Sequence, residues 1–557
     1  MIQTSRNIVA VCVLLCVLPL SAGAKVRRLP LREYADKMKG GWIGQMAGVG
    51  WGAPTEFGTS KAIMPEDKLP AWKPDMVNQF RQDDVYVEMT FLRTLERDGL
   101  DVSSRRAGID FANSSYGLWH ANRYGRDNLR SGIAPPDSGH PKFTRHSDDI
   151  DYQIEADFAG LISPGLSNQV IELGNKFGRI MNYGDGVYGG VFIGGMIAGA
   201  FFEKDPGKIV EAGLKCIPAR SQYAEMARDV LRWHRENPED WRKTWEHVEA
   251  KYARDPNYNR YACHHGSDID VKINGAYVIM GLLYGKGDPD RTITIAIRCG
   301  RDSDCNPSNA AGVLFTSMGF SALPSRFTSA LDTKTTFAFT AYNFESLVSV
   351  CEKLACQSVR RAGGWIEKDA SGEKILVIPV SKPEPGRAER SWAPGPAARS
   401  RYSARERARI CCPPFASEIS NALKSIAPGW ELTRYHFDQF AELKDWEGRK
   451  AFRTYPADSV TSAIWRRQVR FARHTRPSLR LVVSRNMSGG WPLSIKANGG
   501  ALLVTNIDNS TCPTGWKEIT IALDRFAGKN TMLEIAQGPG STGKDEAYWA
   551  EIVLINK

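Results

Sequence analysis

Two groups of aspartates in this sequence have the spacing that metal chemistry uses. Asp83 and Asp84 are adjacent and follow Arg81-Gln82, while Asp302 and Asp304 flank Ser303 just after Gly300-Arg301. An Asp-x-Asp step presents two carboxylates from an irregular loop, a common way to offer hard oxygen donors to Mg²⁺ or Ca²⁺. Either pair alone also reads as a helix cap, because aspartate is favoured at an N-cap and complements the positive helix end. Glu56, in Gly52-Ala53-Pro54-Thr55-Glu56-Phe57, adds a carboxylate in a tight loop.

Further polar candidates lie in the middle of the chain. Asn182-Tyr183-Gly184-Asp185-Gly186-Val187-Tyr188 runs into an apolar helix, and amides at a helix start can hold a phosphate or sugar hydroxyl. Asp185, Gly186 and Tyr188 are therefore candidates for substrate binding, against the alternative of a tight turn that needs glycine. Asp148-Asp149-x-Asp151 and Asp268-x-Asp270 are dense in acid beside His146, His264 and His265. Asp149 and Asp268 are the candidates from these groups, although solvated acidic turns are common. Trp119, His120 and Tyr124 offer an aromatic platform for a ring, although core packing is the commoner use of such side chains. The Cys263-His264-His265 cluster lacks the second ligand pair of a zinc site.

The elements that must position these residues are helical. Val85, Met89, Leu92 and Leu95 recur at helical spacing after Asp83-Asp84. Val187 to Phe202 is apolar and rich in glycine, which lets helices approach closely and predicts a central buried helix. Ile269 to Tyr284 and Asn306 to Phe320 read the same way, with Pro307 suited to a first turn. Strand-like alternation is scarce before residue 335.

Three motifs in order resemble the ADP-ribosylglycohydrolase family. Gly40, Gly44, Gly48 and Gly52 lead into Glu56, as that family's glycine-spaced helix leads into a Gly-Ala-Pro-x-Glu loop. Gln82-Asp83-Asp84-Val85 stands where the family has Thr-Asp-Asp-Thr, and Gly300-Arg301-Asp302-Ser303-Asp304-Cys305 where it has Gly-x-Asp-x-Asp-Thr. The resemblance covers roughly residues 35–325. It implies an orthogonal all-α fold, a metal pair (usually Mg²⁺) at the base of a cleft, and hydrolysis at the anomeric carbon of a ribose. Asp302 and Glu56 then carry catalysis, and Gln82, Asp83, Asp84, Asp302, Asp304 and Cys305 form the metal set. The departures bear on that set: a Gln82 carbonyl can coordinate a hard cation, Val85 cannot, and the Cys305 thiol is a poor Mg²⁺ ligand. One Mg²⁺ is expected and a second is in question, with Ca²⁺ as a substitute.

The rest of the chain sets the context. Residues 1–24 read as an export signal, with Arg6, an apolar stretch Ile8 to Leu20 and a small-x-small step Ala22-Gly23-Ala24. A secreted or periplasmic protein without a membrane segment is expected, the alternative being a retained N-terminal anchor. Much of the excess behind the formal charge of +11 sits between Arg387 and Arg409, in a tract so poor in apolar residues that it reads as a solvated linker. Nucleic acid is not expected as a partner, since no stretch interleaves basic and aromatic residues. Scattered cysteines exclude a small disulfide scaffold, with Cys351–Cys356 as a candidate local bridge.

The expected architecture is therefore multidomain. An all-α catalytic domain spans 25–335, a small α/β appendage 336–385, a linker 386–410 and a jelly-roll-like β-sandwich 411–557. The sandwich rests on short apolar runs divided by Gly, Asn and Asp, such as Ser478 to Ser484 and Tyr548 to Ile555. It resembles galactose-binding-like modules, and Trp491, Trp516 and Trp549 are candidates to stack on sugar rings. Three functions stay open. The first is a metal-dependent hydrolase of an N- or O-glycosidic bond of a ribosyl-like sugar, monomeric and acting on a small molecule or glycan. The second is an exported glycosidase for a furanoside or other glycan, and the third a non-catalytic carbohydrate- or nucleotide-binding protein.

Overall fold

The computed structural model describes residues 25–259, 268–411, 421, 423–433, 442–456, 462–540 and 545–556. The expected export signal and Cys263, His264 and His265 lie outside these residues. Within residues 31–361 helices surround a single hydrophobic core. Its organising pair is Leu31–Gly52 against Cys305–Met318.

The glycine spacing explains that pairing. Gly40, Gly44, Gly48 and Gly52 recur every four residues and so share one helical face. A Cβ on each would stand 2.4 Å from the Phe315 carbonyl oxygen, 2.2 Å from that of Ala311, 2.3 Å from Pro307 and 2.1 Å from Ser303. The partners fall by four as the glycines rise by four, so the helices run antiparallel with their backbones in contact. This contact carries Glu56, just past the end of one helix, to the start of the other, where Asp302 and Asp304 lie.

The remaining helices follow the sequence pattern. Asp83–Asp98 buries Val85, Met89, Leu92 and Leu95, and Asp185–Ala200 and Val271–Gly285 are buried almost throughout. The stretch expected as a separate α/β appendage is instead built into the helical domain. Val26–Pro30 pairs antiparallel with Lys374–Pro379, which also pairs with Trp365–Lys368, closing a three-stranded sheet. Helix Phe344–Arg361 packs on the first long helix and on Asp83–Asp98. Leu347, Cys351, Leu354 and Val359 are buried there, an apolar face that needs this domain to cover it. The proposed Cys351–Cys356 bridge is absent, since both are free and lie on that one helix.

The arginine-rich tract keeps its arginines exposed, as expected, but it is anchored along its length. It runs as an extended strap over the helical domain, held by the buried Asp137, whose carboxylate accepts the Ala398 and Ser400 amides at 2.8 and 2.9 Å. Arg105 clamps Glu406 at 2.6 Å, Arg179 pairs with Glu389 at 2.8 Å, and the Tyr402 hydroxyl donates to the Arg105 carbonyl. Composition predicted the solvation of these arginines but cannot see the anchoring partners on other elements.

Beyond the strap stand two five-stranded antiparallel sheets. Each expected run becomes a strand, among them Pro477–Arg485, Trp491–Ala497 and Ala547–Asn556. Glu431–Thr433, Glu442–Trp446, Arg449–Thr454 and Ala463–Arg470 were not anticipated, because charged residues interrupt their alternation. Trp465, Trp491 and Trp549 meet in the core between the sheets, with ring centroids 5.2–5.6 Å apart. Trp491 and Trp549 therefore cannot stack on a sugar. Trp516 is half-buried and donates to the Glu447 carbonyl.

Candidate active site

Three segments converge on one cleft of about 220 Å³ in the helical domain. The loop after the first helix brings Glu56 and Phe57, the start of the second brings Gln82 and Asp83, and the segment before Cys305–Met318 brings Asp302, Asp304 and Cys305. The rest of the lining comes from Trp119, His120, Asn122, Ile150, Asp151, Ile154 and Ile269. Asp84 lies directly beneath, fully buried.

The helix-cap reading describes Asp302, whose Oδ1 accepts the Cys305 amide at 3.4 Å, but it fails for Asp304. Asp304 is the N-cap residue of its helix, yet its side chain makes no capping hydrogen bond, and Gln82 likewise caps nothing. One buried oxygen of Asp84, Oδ2, has no hydrogen-bond partner. The other accepts from the Cys305 thiol at 3.2 Å. Asp302, Asp304 and Cys305 can each offer a ligand atom with all three within 4.8 Å of one another.

Crowding acids in a buried place has an electrostatic signature. Burial pushes Asp302 up to about 7, and Asp83, Asp84 and Asp304 all lie above the ordinary carboxylate range for the same first reason. Glu56, open to solvent on one side, is nonetheless raised to about 8 by the loss of water around the rest of the group, then by Asp304 and Asp83. No lysine or arginine lines the cleft among the described residues. A divalent cation is the charge this donor set fits: it would neutralise the carboxylates and occupy the orphaned oxygen of Asp84.

Arg301 holds the loops in register. It is fully buried with φ +59°, a strained conformation for a residue with a side chain. Its amide donates to the Thr59 carbonyl at 3.0 Å and its carbonyl accepts the Phe57 amide at 3.1 Å, zipping the Glu56 loop to the Asp302 loop. Its guanidinium forks onto Glu249 at 2.7 and 2.9 Å and reaches Asp268 at 3.3 Å. The Thr55 and Ser303 hydroxyls, 2.8 Å apart, add a further tie. Sequence offered no signal for Arg301, because an arginine reads as surface until its buried acid is known.

Several expected substrate residues stand elsewhere. Asp185 is buried and accepts the Tyr223 amide at 3.1 Å, and Gly186 is packed where a Cβ would meet the Ser147 carbonyl oxygen at 2.5 Å. The Tyr188 hydroxyl bonds the strap at Glu389. None of the three lines the cleft, because their loop faces the 147–149 segment and the strap. Asp149 is buried with its carboxylate 2.6 Å from His146 Nδ1, one layer behind the wall. Asp268 supports Arg301 and bonds the Ser60 hydroxyl, and Asp270 caps Val271–Gly285. Their neighbour Asp151 does reach the cleft, with Oδ2 buried and unpartnered, and burial raises it to about 8. Trp119 and His120 also reach it, whereas Tyr124 packs on His146 at 4.9 Å.

The family model for ADP-ribosylglycohydrolase matches residues 30–360, more than half of the chain. The chain belongs to the ADP-ribosylglycohydrolase family. The ADP-ribosylglycohydrolase match runs through helix Phe344–Arg361, in keeping with the packing of that helix on the domain. Among solved structures, one described as an ADP-ribosylglycohydrolase-related protein complex is similar at 15% identity, over 59% of this chain and 99% of that one, with a TM-score of 0.39. A cyclase from Fischerella sp. TAU is similar at 12% identity over 24% of this chain and 86% of that one, with a TM-score of 0.18. No curated protein matches this chain.

Proposed function

We propose that the chain is a metal-dependent glycosyl hydrolase that cleaves an N- or O-glycosidic bond of a ribosyl-like sugar outside the cytoplasm. The observation that supports this most is the meeting of Glu56, Asp83, Asp302 and Asp304 in one cleft over the unpartnered oxygen of Asp84. A divalent cation held there, Mg²⁺ or Ca²⁺ by its oxygen donors, would supply Lewis-acid polarisation of the sugar's vicinal hydroxyls and of a water. Glu56 stands at the solvent side of the cleft, where it holds a proton near neutral pH and passes it as general acid/base. The exposed rings of Phe57 and Trp119 offer apolar faces to a sugar or base. Asp151 presents an acceptor for a substrate hydroxyl.

The test is a screen of ADP-ribosyl peptides, nucleosides and aryl furanosides, with chelator, Mg²⁺ or Ca²⁺. Metal-dependent turnover that disappears in Asp302→Ala and Glu56→Gln supports the reading. Turnover unaffected by both variants and by chelator would overturn it.

The C-terminal sandwich supports a second reading, an exported glycosidase for a furanoside or other glycan, with the sandwich as its carbohydrate-binding part. Preference for glycan-linked over nucleotide-linked sugars in the same screen separates the two. Cys305 in place of a hydroxyl supports a third, a non-catalytic binder, which a protein unable to bind any divalent ion would favour. Export rests on residues 1–24 alone. Among the described residues no helix is long and apolar enough to cross a membrane. We take the mature chain to act as a secreted or periplasmic monomer on a small-molecule or glycan substrate, without nucleic acid.

A further inference from the structure

Cys305 sits among carboxylates in a way that a simple buried thiol does not require. Its Sγ is 3.2 Å from Asp84 Oδ1 and 3.6 Å from Asp304 Oδ1. A thiol has one weak proton to donate and needs only one acceptor. Asp302 lies in the same group, its ligand atom within 4.8 Å of those of Asp304 and Cys305. A tetrahedral ion with bonds of about 2.3 Å to sulfur and about 2.0 Å to oxygen spaces its sulfur and oxygen ligands about 3.5 Å apart. The separations of 3.2 and 3.6 Å bracket that value. The other oxygen of the Asp84 carboxylate that touches Cys305 is fully buried and without a partner, an independent sign of an unmet charge beside the sulfur.

We propose that Cys305 is itself a metal ligand through its thiolate, and that the centre selects a thiophilic divalent ion of the zinc class over Mg²⁺. The proposal rests on the metal-dependent reading above and deepens it by naming the ion and the donor. The donor set becomes Cys305 Sγ with oxygens of Asp302 and Asp304, whose ligand atoms lie within 4.8 Å of one another, and Asp84 Oδ1 stands 3.2 Å from the sulfur. Mg²⁺ avoids sulfur and demands oxygen octahedra, whereas a borderline ion accepts both donors. On binding, the Cys305 S–H bond breaks, its proton leaves to solvent and an Sγ–metal bond forms, with no change of oxidation state.

Two measurements on the metal-free mature chain test this. Titration with Co²⁺, an optical stand-in for Zn²⁺, should give visible ligand-field bands together with a near-ultraviolet sulfur-to-cobalt charge-transfer band. The charge-transfer band should vanish in Cys305→Ser and Cys305→Thr while the ligand-field bands persist, and Mg²⁺ should compete with Zn²⁺ better in both variants than in the wild type. X-ray absorption of the Zn²⁺-loaded wild type, which needs no variant to fold, should show a sulfur neighbour at about 2.3 Å. Bound Co²⁺ or Zn²⁺ with oxygen and nitrogen neighbours only would overturn the thiolate proposal and leave the metal-dependent reading standing. Failure to bind Co²⁺, Zn²⁺ or Mg²⁺ at all would overturn both.

Discussion

At the residue scale, the site is a set of buried acids that the fold tolerates and a cation would favour. Asp302 at about 7 and Glu56 at about 8 are both raised above their ordinary values, so the folded, metal-free protein prefers them protonated. Their contribution to stability is fully present below about pH 4 and is lost as pH rises through 7 to 8. In chelator, the melting temperature should therefore fall between pH 5 and pH 8. A divalent ion, which binds the ionised form, should restore it more at pH 8 than at pH 5. A chelated protein whose melting temperature is flat over that range would contradict this account. In turnover, Glu56→Gln should lower kcat by about 10²- to 10⁴-fold while metal affinity, read by calorimetry, stays close to wild type. Asp302→Ala should lower both.

At the element scale, the geometry of the cleft is set by one helix pair and one buried ion pair. The four glycines let the backbones of Leu31–Gly52 and Cys305–Met318 touch, and this brings Glu56 beside Asp302 and Asp304. Gly44→Leu would place a side chain where the first added carbon already meets the Ala311 carbonyl oxygen at 2.2 Å. It should destabilise by about 1–3 kcal/mol or more in a denaturant titration and weaken metal binding by parting the two loops. Arg301→Ala would strand Glu249, which is 2% exposed, as an unpaired buried charge. The expected loss is about 3–5 kcal/mol. Glu249→Gln in the same background should recover part of it, because it removes the stranded charge.

At the scale of the whole molecule, the helical domain and the sandwich have separate cores, and the strap belongs to the first of them. A chain ending at residue 411 should keep the strap, melt cooperatively and retain metal binding. One ending at 381 loses the partners of Asp137, Arg105 and Arg179. It should melt several degrees lower, with Asp137→Ala in the full chain moving in the same direction. Equal melting temperatures for the two truncations would show that the strap adds nothing. The buried Trp465, Trp491 and Trp549 belong to the sandwich's own stability, so a sugar-binding role for that domain would have to use other residues.

The sequence by itself determined the helical character of the first domain and the helices that carry the site, most of the sandwich strands and the motif residues of the site. These are legible because periodicity reports which face is buried, and because adjacent or alternate aspartates before a helix have few cheap uses. It also determined the glycine ladder, although not what the ladder is for. Only the tertiary structure decided which acids share the cleft. Asp149, Asp185 and Asp268 look no different from Asp151 along the chain, yet three are spent on a histidine, a backbone amide and an arginine while Asp151 faces the cleft. The same holds for Arg301 and for the strap, where Asp268 lies 33 residues from Arg301 and Asp137 lies 261 from Ala398 along the chain, on elements the local pattern cannot pair with them. Local composition sets what a residue prefers in water. Whether it is granted water depends on what the fold sets against it.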